Sequence, residues 1–88
     1  MDLSSSLDDD RRVKNDPLEL LGLRIREKRK SIGWTQEDLA YQAQIDRSYI
    51  GGVERGQRNV TFNVLCQLCR ALRCDVASLT EGIPRVAK

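Results

Sequence analysis

Two helix-like runs follow each other closely in the segment TQEDLAYQAQIDRSYIGGVERG, residues 35–56. Thr35 and Asp46 each precede one run, and the side chain of either residue type accepts hydrogen bonds from the first backbone amides of a helix. Asp38, three residues after Thr35, extends the first signal to a capping box. Gly56 ends the second run, as glycine often does just past a helix. The segment predicts two short helices joined by a sharp turn.

Apolar residues recur on one side of both predicted helices, which is the pattern of a buried face. The predicted buried residues are Leu39, Ala40, Ala43, Ile45, Ile50 and Val53. Burying this face holds the second helix at a fixed angle and turns its other side outward. A rigid outward helix is an element that the major groove of DNA, about 12 Å wide, admits. The turn is therefore interpreted as a means of presenting the second helix.

Similar capping signals predict three further helices. Asp16 precedes a helix that Gly33 ends, Thr61 precedes another, and Asp75 precedes a short last one. We therefore predict an all-α domain of five helices over residues 16–83.

The segments on either side of this domain are predicted to be an arm and a tail. Residues 1–15 are rich in Ser and Asp and lack apolar periodicity, so a flexible N-terminal arm is expected. The arm is either a plain tail or a segment that touches a partner through Arg11 and Arg12. Residues 84–88 are predicted to be a short tail.

Composition argues against several classes of function. The chain of 88 residues contains no histidine, which removes the commonest general base and most zinc and serine-hydrolase sites. It has no apolar run near the roughly 18 residues of a membrane helix, and its start lacks the apolar core of a secretory signal. We expect a cytoplasmic protein with no catalytic residues, metal, cofactor, membrane contact or small-molecule ligand.

Charge points weakly to an anionic partner. Beyond residue 16 the chain has twelve basic and eight acidic residues, a net charge of +4. An excess of this kind suits DNA, although many solvated surfaces carry a similar one.

Three stretches resemble the Cro/cI-type helix-turn-helix family, also called the XRE or lambda-repressor-like family. They are GLRIREKRKSIGWTQEDLA, IDRSYIGGVERG, and LCRAL followed by Leu79. SYIGGVERGQRN is also similar to the restriction–modification controller proteins of that family. The resemblance implies a lambda-repressor-like domain that binds double-stranded DNA. It implies a transcription regulator that acts as a homodimer on a two-fold symmetric operator.

The resemblance also implies roles for individual residues. The implied DNA-binding residues are Gln36, Arg47, Ser48, Gly52, Arg55, Arg58 and Asn59. Tyr49 is a further candidate apart from the resemblance: it is either a packing residue or a surface residue that reaches a phosphate. Arg47 and Ser48 match base-reading positions, and Gly52 matches a third such position but has no side chain. Gln36 matches a residue that holds a phosphate and braces the second helix. An ion pair between Arg29 and Glu54 is implied as well.

Two features depart from the family pattern. Gln44 occupies a turn position where glycine is common, and a left-handed backbone there costs a non-glycine residue roughly 1–2 kcal/mol. A differently shaped turn is therefore expected. Gly51 and Gly52 weaken their helix by up to about 1 kcal/mol each. Either something approaches the helix closely there, or base reading falls to Arg47, Ser48 and the following loop.

Assembly and rival functions rest on the last third of the chain. Cys74, Val76 and Ile83 are predicted to form the dimer interface; the alternative is that they cap the bottom of the bundle in a monomer. The alternative function is a protein-interaction module of antitoxin type, which binds a partner protein and, secondarily, DNA. Cys66 and Cys69 spell the C-x-x-C motif of thiol oxidoreductases. Redox cysteines lie at exposed helix N-termini, so core packing is favoured for Cys69.

Overall fold

The computed structural model describes residues 16–86, which form five α-helices. They are α1 (Pro17–Ile32), α2 (Gln36–Ala43), α3 (Arg47–Glu54), α4 (Phe62–Leu72) and α5 (Val76–Thr80). The predicted all-α, five-helix fold is confirmed. The predicted arm, residues 1–15, lies outside the described residues, as do residues 87–88. The proposed division into arm, domain and tail stays a prediction.

Each helix begins at the residue that the sequence predicts. The side chains that accept a backbone N–H at the five helix starts are Asp16, Thr35, Asp46, Thr61 and Asp75. At α2 the bonds are reciprocal: the Asp38 amide donates to Thr35 Oγ1 at 3.1 Å, and the Thr35 amide donates to Asp38 Oδ2 at 2.8 Å. A cap of this kind contributes about 1 kcal/mol. The starts of the helices are therefore set by local chemistry.

The core lies where the five helices meet. Its fully buried side chains are Ile25, Leu39, Ile50, Leu68, Leu72 and Val53. Of the six residues predicted to be buried around the turn, five are buried, whereas Ile45 is half-buried and packs against the core from the turn. This core holds α3 from beneath.

The turn between α2 and α3 corrects one expectation. Gln44 adopts the left-handed conformation, with φ 58° and ψ 46°, so the expectation of a differently shaped turn was wrong. In that conformation the Ile45 amide donates to the Ala40 carbonyl at 3.0 Å, a bond that closes many helix ends. This bond and the packing of Ile45 against the core offset the strain at Gln44.

A close crossing of backbones sets the position of α1. A Cβ atom on the buried Gly22 would collide with the carbonyl oxygen of Val53 and lie 2.6 Å from that of Glu54. Only glycine allows α1 to approach the end of α3 so closely. No signal in the neighbouring sequence predicts this role of Gly22, because the residues that it approaches lie 31 or more positions later in the chain. Among residues 16–86, no helix combines the length and apolar character that crossing a membrane requires.

Candidate nucleic-acid interface

The exposed surface of α3 is concentrated in its first turn. Arg47 and Ser48 are exposed and Tyr49 is half-buried, whereas residues 50–54 are buried. Ile50 and Val53 lie in the core, and the side chains of two later arginines cover Gly51 and Gly52. The outward face expected along the whole helix is therefore limited to its N-terminal turn.

A chain of hydrogen bonds connects this turn to the interior. Arg29 donates to Glu54 through Nε at 2.6 Å and Nη2 at 2.9 Å, and these residues are only 6% and 9% exposed. Gln36 Nε2 donates to Glu54 Oε1 at 3.0 Å. Arg47 Nη1 donates to Gln36 Oε1 at 3.1 Å. The structure thus brings together four residues that the resemblance singled out, and we call them the Arg29–Arg47 chain.

The buried end of this chain is a bidentate ion pair between Arg29 and Glu54. The hydrogen bond to Glu54 raises the pKa of Arg29 above its ordinary value, against the opposing effect of burial. Arg29 also donates to the Trp34 carbonyl at 2.8 Å. Glu54 accepts three hydrogen bonds, as an ionised carboxylate can. The pair therefore links α1, the start of α2 and the end of α3.

At the start of α3, Asp46 controls which hydrogen bonds Ser48 can make. Asp46 accepts the Ser48 amide at 3.0 Å and also the Ser48 hydroxyl. These bonds, the hydroxyl first, lower the pKa of Asp46 below its usual range. A hydroxyl has one proton and two lone pairs. Because the single hydroxyl proton of Ser48 is donated to Asp46, Ser48 Oγ can act towards solvent only as a hydrogen-bond acceptor. Arg47 has donors left besides the one bound to Gln36.

Two exposed arginines follow α3. Arg55 Nε donates to Gln57 Oε1 at 3.0 Å, and its Nη1 lies near Gly51. The guanidinium carbon of Arg58 lies 5.4 Å from the centre of the Tyr49 ring, which is a cation–π distance. Together with Arg47 these residues place three positive charges around the exposed turn of α3. Asn59 is exposed in the same loop.

A comparison with models of known protein families assigns this domain to one of them. The helix-turn-helix family model matches residues 25–79, from the middle of α1 to the last buried residue of α5. The chain belongs to the helix-turn-helix family. This confirms the predicted family and, since the family consists of DNA-binding regulators, the predicted class of function.

Several relatives of this helix-turn-helix protein are controllers. Control protein C.SmaI from Serratia marcescens is 41% identical over 64 residues, which cover 73% of this chain and 76% of that protein. The restriction–modification controller C.AhdI from Aeromonas hydrophila is 47% identical, with a TM-score of 0.69 over 70% of this chain and 94% of that one. The C.Esp1396I controller, crystallised as a tetramer with its natural 35 base-pair operator, is 36% identical, with a TM-score of 0.70 over 75% and 87% of the two chains. The predicted similarity to controller proteins is confirmed.

The predicted dimer residues lie beside the last helix. Cys74, Val76 and Ile83 are half-buried and pack against the core of the helix-turn-helix domain, so each keeps part of its surface. Within residues 16–86, the large apolar side chains with the greatest exposure lie elsewhere, at Tyr41, Phe62 and Val86. The role of Cys74, Val76 and Ile83 in dimer formation stays a prediction.

The three cysteines carry free thiols in this helix-turn-helix domain. Cys69 is buried, and burial, followed by the neighbouring Cys74, raises the pKa of Cys69 to about 12. A redox thiol needs a lowered pKa and exposure. Cys69 has the opposite properties, which disfavours the oxidoreductase reading. Among residues 16–86 no His, Cys, Asp and Glu side chains are grouped to hold a metal ion.

Proposed function

We propose that this protein is a controller-type transcription regulator that binds a two-fold symmetric operator in double-stranded DNA as a homodimer. The observation that carries the proposal is the Arg29–Arg47 chain, because it holds an exposed arginine at the outward turn of α3. Ordering a free side chain on binding costs about 0.5–1.5 kcal/mol. The hydrogen bond to Gln36 reduces that cost for Arg47.

The side chains of this surface suit different parts of DNA. Arg47 is assigned to base reading, since arginine pairs with O6 and N7 of guanine in the major groove. Ser48 accepts from a base amino group, because its own proton is bound to Asp46. Gln36 uses one amide N–H on Glu54 and has a second for a phosphate. The residues assigned to phosphates are Tyr49, Arg55, Arg58 and Asn59.

Two copies are proposed because one module provides little specificity. A single domain of this kind buries about 600–1,000 Å² on DNA. Two copies read half-sites about 34–36 Å apart, and the relative C.Esp1396I is a tetramer on its operator. We assign the pairing surface to Cys74, Val76 and Ile83.

Three further properties follow from this assignment. We infer that the protein is not an enzyme, because its family consists of DNA-binding regulators. We also infer that it acts in the cytoplasm, where such a regulator meets its DNA. Controllers among the relatives favour a regulator over an antitoxin-type module.

Substituting the two arginines separately tests the proposal. We expect Arg47→Ala to lower the discrimination between operator and random DNA by about 1–3 kcal/mol, the value of one bidentate base contact. Arg58→Ala should weaken binding to all sequences alike and reduce the slope of log K against log salt by about one. Binding is measured by fluorescence anisotropy at several salt concentrations.

The matched control is Arg70→Ala. Arg70 is an exposed arginine of α4 beside the C-terminal end of α2, whereas Gln36 and Arg47 lie at the N-terminal end. The control should keep the discrimination of the wild type. An Arg47→Ala protein that kept it too would contradict the proposed role of α3.

A further inference from the structure

Gly52 lies directly beneath the side chain of Arg58. A Cβ atom at position 52 would lie 2.9 Å from Arg58 Cγ and 3.2 Å from Arg58 Nε. A non-bonded separation of 2.9 Å is closer than real Cβ atoms show, so Arg58 in this position occupies space that a side chain at position 52 would need. The close approach to the paired glycines of α3 is therefore made by a residue of the protein itself.

The backbone after α3 brings Arg58 to this place. The Gln57 amide donates to the Gly52 carbonyl at 2.8 Å, and the Gly56 amide donates to the Val53 carbonyl at 3.0 Å. These bonds fold the loop back onto the last turn of α3. Arg58 consequently starts next to Gly52, and its side chain lies along the surface of the helix while remaining exposed to solvent.

The ring of Tyr49 sets the direction in which the Arg58 side chain extends. Tyr49 and Gly52 are three residues apart, so they lie on the same face of α3, one turn from each other. The Arg58 stem passes over Gly52 and its guanidinium lies over the Tyr49 ring, with 5.4 Å between the guanidinium carbon and the ring centre. The charge thus lies beside Tyr49, which belongs to the same turn of α3 as Arg47 and Ser48.

We propose that Gly52 is a positioning residue, whose missing side chain lets Arg58 lie along α3 and present its charge to DNA beside the base-reading turn. This inference rests on the proposed function and assigns a contact within it. Arg58, a residue of the loop, thus supplies a DNA contact at a position of α3 that has no side chain of its own.

DNA binding by Gly52→Ala, Arg58→Ala and the double variant tests the contact. Alanine at position 52 displaces Arg58, so we expect Gly52→Ala to bind operator DNA about tenfold more weakly, a change of 1.4 kcal/mol. It should also lower the salt slope. In the Arg58→Ala background the same substitution should change affinity less than about twofold, because the displaced side chain is absent. Equal losses in both backgrounds would overturn the inference, as would a Gly52→Ala protein that binds like the wild type.

Arg58 resonances in the free protein test the positioning without DNA. The Tyr49 ring should shift the Arg58 Hδ signals upfield in the wild type, and Gly52→Ala should return them towards the values of a solvated arginine. Gly51→Ala is the matched control, because a Cβ there meets only the far end of Arg55, at 3.1 Å, and the Gln36 side chain. Unchanged Arg58 shifts in Gly52→Ala would overturn the inference.

Stability of the folded protein gives a third readout. Alanine suits a helix better than glycine, so Gly52→Ala should fold. If it does not, Arg58→Ala in the same chain should restore folding by removing the colliding atoms, and failure to do so would contradict the proposed contact. Wild-type protein that bound no DNA sequence selectively would overturn the proposed function, while the Arg58 shifts would still report on Gly52.

Discussion

Replacing Glu54 by glutamine should remove a large part of the stability of the domain. Glu54 accepts two bonds from Arg29 and one from Gln36, and both members of the ion pair are buried. Glutamine keeps the shape but puts an amide donor against the guanidinium and leaves its charge uncompensated. Losing one partner of a buried pair costs about 3–5 kcal/mol. Small domains have about 5–15 kcal/mol in total.

The assay is urea denaturation followed by circular dichroism and by the fluorescence of Trp34, the single tryptophan, whose carbonyl binds Arg29. Glu27→Gln is the matched control, since Glu27 is an exposed residue of α1 and its loss should change stability by less than about 0.5 kcal/mol. The difference between Glu54→Gln and wild type should persist in 1 M salt, because screening acts mainly on exposed charges. A loss as small as that of the control would refute the reasoning.

Further predictions concern the turn, the thiols and the dimer. Gln44→Gly should raise the free energy of unfolding by about 0.5–1 kcal/mol, because relief of left-handed strain exceeds the entropy cost of glycine; urea midpoints check this, and a destabilised variant would contradict it. Cys69 should react with a thiol reagent only as fast as the native protein opens, and more slowly than Cys66. Since the pKa of Cys69 is raised by folding, its contribution to stability is present below about pH 9 and is lost as pH rises towards 12; a native Cys69 as reactive as in urea would be inconsistent with this. Val76→Asp should convert the dimer to monomer in sedimentation at micromolar concentration, whereas Ala77→Asp, at the exposed neighbouring position, should not; a Val76→Asp protein that remains dimeric would exclude this surface.

The features that the sequence predicts best are those made within a few residues. Asp46 and Thr35 cap helices by binding amides two or three positions later, so the pattern and the contact share the same stretch of chain. The end of α3 near Gly56 is predictable for the same reason. The helix bounds, and with them the place of Arg47 on an outward turn, follow from such signals.

The features that the sequence does not predict depend on contacts made when the helices pack together, which a local sequence pattern does not contain. Gly22 has no distinctive neighbours in the sequence, and its role appears only where α1 crosses the carbonyls at the end of α3. Gln44 takes the left-handed conformation because Ile45 is packed against the core, which a local propensity does not include. The position of Arg58 over Gly52 likewise requires the loop to be folded back on α3.

The bond from Arg47 to Gln36 lies between these cases. The resemblance singles out both residues, but their contact depends on the crossing of α2 and α3. The resemblance therefore predicts the members of the Arg29–Arg47 chain and the pairing of Arg29 with Glu54, but not the hydrogen bonds that join Gln36 to Glu54 and Arg47 to Gln36.

Selection of bound sites from a random DNA library by the purified chain of 88 residues tests the central claim most directly. We expect the selected sequences to contain an inverted repeat whose half-sites are centred about 34–36 Å apart along the helix axis. The same selection with Arg47→Ala should lose preference at one position in each half-site. A library that showed no enrichment, or a single half-site bound as tightly as the full repeat, would contradict the account.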